Sequence, residues 1–366
     1  MLFKNEGCAV QRAKALEEGK SSVVHVNADE IKAENEGKLV HFTAKAETKD
    51  WLSDDETGLR LKAIVLARDV QMYQWKEDQE TKTKKAMGGK KRTITTYRYH
   101  KEWSDSLINS SSFKKKERHM NPAEMRISNK KTYAKNVYAG AFLLSDSFVR
   151  DFSPTEPVKL SEANVESLKQ FLGESVKDVH LINDGTLLYV GKDPNDPKVG
   201  DLKISFTKLT SATVSVVGKQ EGNKIVPYQT KSGQSIALLY MGTKSAADIF
   251  KAEEKKNEMF TWVLRIVGFL IMMFGIYSLF YPIVVVMDVI PILGDITGVL
   301  FGFIAFLLAA CGSLLVIAAG WLFYRPLLGL SLLGGAIIGL ALLVTLVIKY
   351  RKKKPAKKRK KKASAA

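Results

Sequence analysis

The sequence predicts an α+β membrane protein: a β-rich extramembrane domain, OB-like or related, followed by three transmembrane α-helices. Three observations carry this. Residues 266–287, 296–324 and 327–348 contain no Asp, Glu, Lys, Arg or His. A hydrocarbon core roughly 30 Å thick is crossed by about 20 helical residues, and each run is long enough. Ahead of them lie short alternating apolar segments punctuated by Gly, Pro and Asn, the pattern of antiparallel strands. The domain boundaries follow: 1–258 as the β-rich domain ending in a charged helix, 259–348 as the transmembrane region, and 349–366 as a disordered basic tail.

The formal charge of +18 over 366 residues is unevenly spread. Residues 349–362 alone carry 11 Lys and Arg, so the excess is a terminal tract and does not indicate a nucleic-acid groove. The two cysteines, Cys8 and Cys311, lie too far apart in kind of segment to form a disulfide framework or a thiolate metal site.

In chain order, 9–19 reads as a short helix stopped by Gly19. Residues 23–26 and 39–46 read as strands. Residues 59–75 form a longer extended stretch, and 93–103 alternates Tyr97, Tyr99, Lys101 and Trp103 on one side. Between them, 77–92 is rich in Lys and Gly with a turn at Gly88-Gly89, which makes a long hairpin with a basic tip. Residues 132–144 read as one strand. A helix over 161–172 opens at Ser and stops at Gly173. Segments 186–191, 201–209, 213–219, 224–230 and 235–241 are strands, with Glu221-Gly222-Asn223 as a hairpin turn. Residues 246–258 form a charged helix leading into the membrane. No export signal is visible at Met1. The positive-inside rule puts the basic tail in the cytoplasm. Threading back through three helices then places the front domain outside the cytosol. Two readings stay open: a start downstream of a missing first helix, or a cytosolic domain whose tail breaks the rule.

Several stretches resemble the transmembrane protein 43 (LUMA) family. They are Asn5-Glu6-Gly7 with Ala9-Val10; Val70-Gln71-Met72-Tyr73-Gln74-Trp75 with Glu77; Tyr97 with Lys101-Glu102-Trp103; Asn121-Pro122 with Met125; Val199-Gly200-Asp201-Leu202; Phe260-Thr261-Trp262-Val263-Leu264-Arg265; and Asp288 with Ile290-Pro291 and Leu293-Gly294. They run in order over nearly the whole chain. The resemblance implies one helix before the domain and three after it, and this sequence departs by lacking the first. It implies a scaffold or organising protein of endomembranes, including the inner nuclear membrane, in animals. Bacterial members also exist, and there the inner membrane is the expected place.

No residue pattern points to an enzyme. His25, His41, His100, His119 and His180 show no metal-ligand spacing, and no nucleophile elbow, P-loop or dinucleotide fingerprint is present. No catalytic residue, cofactor or metal is expected. Tyr73, Trp75, Tyr97, Tyr99 and Trp103 read as cross-strand packing, with base stacking as the rival. In the membrane runs, Gly298 with Gly302, Ala309 with Ser313, and Ser331, Gly335 and Gly339 are small residues at helix-packing spacing. Trp262, Arg265, Trp321, Tyr324 and Arg325 read as interface anchors that snorkel. Asp288 and Asp295 flank the short connecting loop 289–294, which contains Pro291, with Asp295 capping the next helix. In the tail, Lys352, Lys353, Lys354, Lys357, Lys358, Arg359, Lys360, Lys361 and Lys362 are expected to meet anionic lipid head groups. The expected partners are membrane lipids, further copies of the chain and other membrane proteins; nucleic acid is not expected. The function this supports is a scaffold, with a channel or transporter, or an accessory of a membrane stress or defence system, as rivals.

Overall fold

The computed structural model describes residues 1–85, 91–173, 178–287, 291–327, 329–331 and 345. They divide into two compact units, Ala15–Glu253 and Met1–Lys14 with Glu254–Ala366. Helices are α1 (Leu2–Ser22), α2 (Asp146–Val149), α3 (Glu162–Leu172), α4 (Ala246–Met287) and α5 (Pro291–Tyr324). Strands are β1 (Val24–His25), β2 (Leu39–Thr48), β3 (Trp51–Asp54), β4 (Leu59–Lys62), β5 (Val65–Lys85), β6 (Lys91–Ser104), β7 (Lys130–Tyr133), β8 (Val137–Ala139) and β9 (Phe142–Leu144). Then come β10 (Glu156–Pro157), β11 (Val179–Ile182), β12 (Leu187–Val190), β13 (Leu202–Leu209), β14 (Ser211–Glu221), β15 (Lys224–Val226), β16 (Tyr228–Gln229), β17 (Ser235–Ile236) and β18 (Leu238–Met241).

In the 15–253 unit, five strands close into a ring. β2 pairs with β8, β8 with β9, β9 in parallel with β15, β15 with β14, and β14 back onto β2. β1 and β18 flank the ring. A second sheet runs β11-β12-β13-β5-β6, with β10 on β13 and β7 on β5. One apolar core serves both, with Phe42, Phe142, Phe148, Phe152 and Phe206 fully enclosed. Phe42 stacks on Phe142 at 4.8 Å. Each such side chain stabilises the fold by about 1.5–3 kcal/mol through burial.

Along β2, Leu39, Val40, His41 and Phe42 are all buried, with neighbouring side chains on opposite faces. Val40 and Phe42 face the ring core. Leu39 lies on the other side, in a second cluster with Leu16, Val217, Ile236, Leu238, Ile249 and Phe250. A strand covered on both faces loses its polar period. Gly19 is likewise no stop. The helix expected over 9–19 extends from Leu2 to Ser22, and a Cβ at Gly19 would lie 2.5 Å from Ile236 and 2.8 Å from Phe250. This glycine permits close packing where the sequence suggested a terminus.

Other boundaries moved as well. The stretch expected over 59–75 is two strands, β4 and β5, interrupted at Ala63-Ile64, and β5 continues to Lys85. The hairpin is present, paired from Met72↔Ser104 to Lys85↔Lys91; its predicted Gly88-Gly89 turn lies outside the described residues. The single strand expected over 132–144 is three, β7, β8 and β9. Strand β11 was not foreseen. Helix α3 opens with a Ser161–Asn164 capping box and stops at Gly173, as expected. The charged helix expected over 246–258 is the first part of α4, which continues unbroken through Pro282.

Arg68 of β5 fixes the β3–β4 hairpin to the second sheet. Its guanidinium is buried and donates from Nη1 to Asp54 Oδ1 and Oδ2 at 2.8 and 2.6 Å, from Nη2 to Glu56 Oε1 at 3.1 Å, and from Nε to the Ser128 carbonyl at 2.9 Å. The hydrogen bond from Arg68 holds the Glu56 carboxyl down at about 2, against its partial burial.

Two outcomes are expected. Gly19→Ala gains about 1 kcal/mol of helix propensity but incurs about 1–3 kcal/mol of overpacking, so thermal unfolding should show a net loss. For Glu56, the folded-state pKa lies below the ordinary 4.5, so its contribution is complete above pH 4.5 and vanishes as pH falls through about 2. Glu56→Gln should flatten that part of the acid-unfolding profile, read by near-UV circular dichroism. A profile superposable on the parent's would mean that Arg68 does not stabilise this carboxylate.

Candidate membrane-anchoring site

In the other unit, α4 and residues 296–324 of α5 are long and apolar enough to cross a membrane. Most of their residues face outward: Ile271, Phe274, Val286, Val299, Phe303 and Leu315 are all exposed, as lipid contact requires. The third run, 327–348, falls almost entirely outside the described residues, and so do Gly335, Gly339 and the tail lysines and Arg359. Two candidate spans are therefore described where three were expected.

Small residues of α5 lie against α4. Ala305, Ala309 and Ser313 are buried. A Cβ at Gly312 would lie 2.9 Å from Met272 Sδ, and Ser313 Oγ sits 3.7 Å from the same sulfur. Phe306 packs edge-on to Phe269, and Phe301 stacks on Phe280. Gly298 and Gly302 lie on the same face with more room, their added Cβ atoms 3.6 Å from Val284 and 4.0 Å from Tyr277. Ser331 is exposed. Pro291 opens α5, where a missing N–H costs nothing. Asp295 lies inside that helix, so it is no cap residue. Asp288 lies outside the described residues.

The start of α1 docks on this pair. Leu2 packs where Gly268 leaves room, Phe3 meets Phe323 and Tyr324, and Gly7 lies under the Tyr324 ring. Asn5 Nδ2 donates to the Thr261 carbonyl at 3.2 Å, and Asn257 Nδ2 donates to the Ala9 carbonyl at 3.0 Å. At the centre, Glu6 is 2 % exposed. It accepts hydrogen bonds from Arg265 Nε at 2.7 Å, Arg265 Nη2 at 2.8 Å and Trp321 Nε1 at 2.8 Å. The same guanidinium lies over the Trp262 and Trp321 rings at 4.8 and 5.7 Å. Gly320 leaves space for the Glu6 stem.

This corrects the snorkelling assignment for Arg265 and Trp321. Their polar atoms reach inward to Glu6 because a forked guanidinium and a bidentate carboxylate satisfy one another where water is scarce. Trp262 remains largely exposed and Arg325 is exposed. Sequence reasoning gave Glu6 no role. The available signal was a lone acid between Phe3 and a glycine, at helical spacing from Leu2.

The histidines hold one surprise. His25 and His41 sit side by side on β1 and β2, with Nδ1 atoms 3.0 Å apart, and His41 Nε2 donates to the Lys244 carbonyl at 3.0 Å. Burial keeps His41 below the usual imidazole range. Among the described residues no group of three or more His, Cys, Asp or Glu is placed to hold a metal. In the aromatic group on β5 and β6, Tyr73 packs across the strands on Trp103 at 5.1 Å, and Tyr99 stacks on His119 of the following segment at 3.8 Å. Lys101 and Lys203 cover the Trp75 and Trp103 rings.

The sequence is similar to known proteins over nearly its full length. The family model described as Transmembrane protein 43 matches residues 72–326. The mouse protein of that name is 34% identical over 372 residues, covering 98% of this chain and 88% of the relative. The human one is 34% identical over 371 residues, with the same coverage. The Drosophila melanogaster homolog is 31% identical over 351 residues, covering 91% and 87%. No solved structure matches.

If Glu6 neutralises Arg265, Glu6→Ala should destabilise the detergent-solubilised chain by about 3–5 kcal/mol, the cost of stranding a buried charge. Glu6→Leu combined with Arg265→Met should recover most of that loss in a double-mutant cycle of thermal unfolding. Additive losses would disprove the coupling.

Proposed function

Because this chain belongs to the transmembrane protein 43 family and is an integral membrane protein, we propose that it acts as a scaffold. On this reading it assembles protein or lipid complexes through its β-rich domain and packed helices, without chemistry of its own. The observation that carries the reading is the β5–β6 ribbon. Asn121 and Lys114 hold β5 as far as Glu77, and beyond it β5 has only β6 beside it among the described residues, so a two-stranded arm roughly 26 Å long projects. Such an arm is a surface for large partners and offers no enclosed site. The polar groups with perturbed environments serve the fold: Arg68 and Glu56 tie a hairpin down, and Tyr189 donates to Asp201, its hydroxyl proton held firmly by burial and that carboxylate.

The strand ring supports an OB-like reading. Its first three strands form a meander, the third runs parallel to the fifth, and the fourth closes onto the first. OB folds bind through the loops of such rings. Here the first of those loops, between β2 and β8, carries the ribbon. The basic tail is proposed to bind anionic head groups on the cytoplasmic face, and the membrane is proposed to be the bacterial inner membrane or, in a eukaryote, the endoplasmic reticulum or inner nuclear membrane.

Chemical crosslinking of the full chain in its native membrane, followed by sizing in mild detergent, should give assemblies of more than one chain. A protein that stays monomeric in both overturns the scaffold reading. Selective ion flux in proteoliposomes would favour a channel instead.

A further inference from the structure

We propose that two copies of this chain pair their β5 strands antiparallel about a two-fold axis at Thr81, joining two ribbons into one four-stranded sheet. The proposal rests on the scaffold reading and names the partner that the ribbon takes: a second copy.

The first argument is the unpaired edge. Tyr73 N donates to the Asp201 carbonyl at 2.9 Å, and Gly200 N donates to the Tyr73 carbonyl at 2.9 Å. Trp75 N donates to Asn121 Oδ1 at 2.7 Å, and Asn121 Nδ2 donates to the Trp75 carbonyl at 2.9 Å. Odd-numbered residues of β5 therefore turn their backbone groups away from β6. The β5–β6 register has no bulge from Met72 to Lys85, so Glu77, Gln79, Thr81, Thr83 and Lys85 continue that outer edge. Among the described residues no strand covers it. Two-stranded ribbons are marginal in water, and uncovered edges recruit further strands unless something blocks them.

The second argument is charge. Glu77, Asp78 and Glu80 precede Thr81, and Lys82, Lys84 and Lys85 follow it. With Thr81 opposite Thr81, Glu80 stands opposite Lys82 of the second copy, and in register Asp78 stands opposite position 84. Symmetry repeats each pair. Moving the axis to Gln79 sets Asp78 against Glu80 and Lys76 against Lys82. Moving it to Thr83 sets Lys82 against Lys84. Like charges directly opposite one another are destabilising, so the Thr81 register is selected. Axes at Asp78, Glu80 or Lys82 would set each of those charges directly against its own copy, which is likewise destabilising. Within one copy Glu80 and Lys82 form an exposed pair at 2.8 Å. Such pairs are weak and free to exchange across an interface.

The other edge repels itself. β6 carries Lys91, Arg92, Arg98 and Lys101 with no acid before Glu102, and self-pairing about Thr95 would set Arg92 against Arg98. The contact is thus confined to β5. Being isologous, it closes as a dimer.

The test uses the full chain in membranes, with Cys8→Ser and Cys311→Ser to remove the two exposed thiols. Paired residues at a hydrogen-bonded antiparallel position lie about 5.5 Å apart at Cα, within disulfide reach. Thr81→Cys should therefore give a disulfide dimer on mild oxidation. Thr83→Cys alone should not, since its two copies would sit roughly 14 Å apart. Mixing Gln79→Cys chains with Thr83→Cys chains should crosslink them. Glu80→Lys should weaken association roughly tenfold, and adding Lys82→Glu should restore it. The pairing is overturned if Thr81→Cys crosslinks no better than Thr83→Cys, if Thr95→Cys crosslinks in its place, or if Glu80→Lys associates like the parent. In each case a parent that still assembles leaves the scaffold reading standing, whereas a parent that is monomeric throughout removes both.

Discussion

Satisfying the backbone of β5 is the constraint on which the extramembrane unit depends. This strand runs 21 residues, far beyond the usual strand length. Its first part is enclosed, with β13 along one side and β7 along the other. There Val65, Leu66 and Val70 are buried, and Arg68 holds the β3–β4 hairpin. Past Met72 the neighbour on one side ends. Gly200 and Asp201 satisfy Tyr73, and the Asn121 side chain then imitates a strand by bonding both the N–H and the carbonyl of Trp75. Gln74 secures the same segment through Ser106 and Ile108. Lys114 N then donates to the Glu77 carboxylate, and past Glu77 only β6 lies along β5 among the described residues.

A comparable economy holds in the membrane unit. Two apolar helices gain little from hydrophobic burial against each other in lipid, so small residues and a few polar contacts must hold them. Ala305, Ala309 and Ser313 supply the close approach. Glu6 supplies the polar contact, and it does so from the opposite end of the chain. A carboxylate there is tolerable because three N–H donors converge on it. Removing any of them would leave charge where water cannot replace it.

Much of this was legible in the sequence wherever a single local rule decides the outcome. Apolar length marks α4 and α5. The Ser161 start and Gly173 stop delimit α3, and Gly222 marks the β14–β15 turn. The aromatic alternation on β6 was readable, and so was its pairing to β5.

What local rules could not supply were contacts between distant segments. Nothing near Gly19 reveals that Ile236 and Phe250 press against it, so a packing glycine reads as a helix stop. Leu39 is buried because a second cluster covers the outer face of β2. Arg265 looks like any interfacial arginine until Glu6, 259 residues away, is brought beside it. The sequence by itself determined a β-rich domain, apolar spans and the family, because composition and short-range period carry those. Only the tertiary structure decided which strands close the ring, which glycines are spacers and which charges are paired, because those depend on distances that no local pattern encodes.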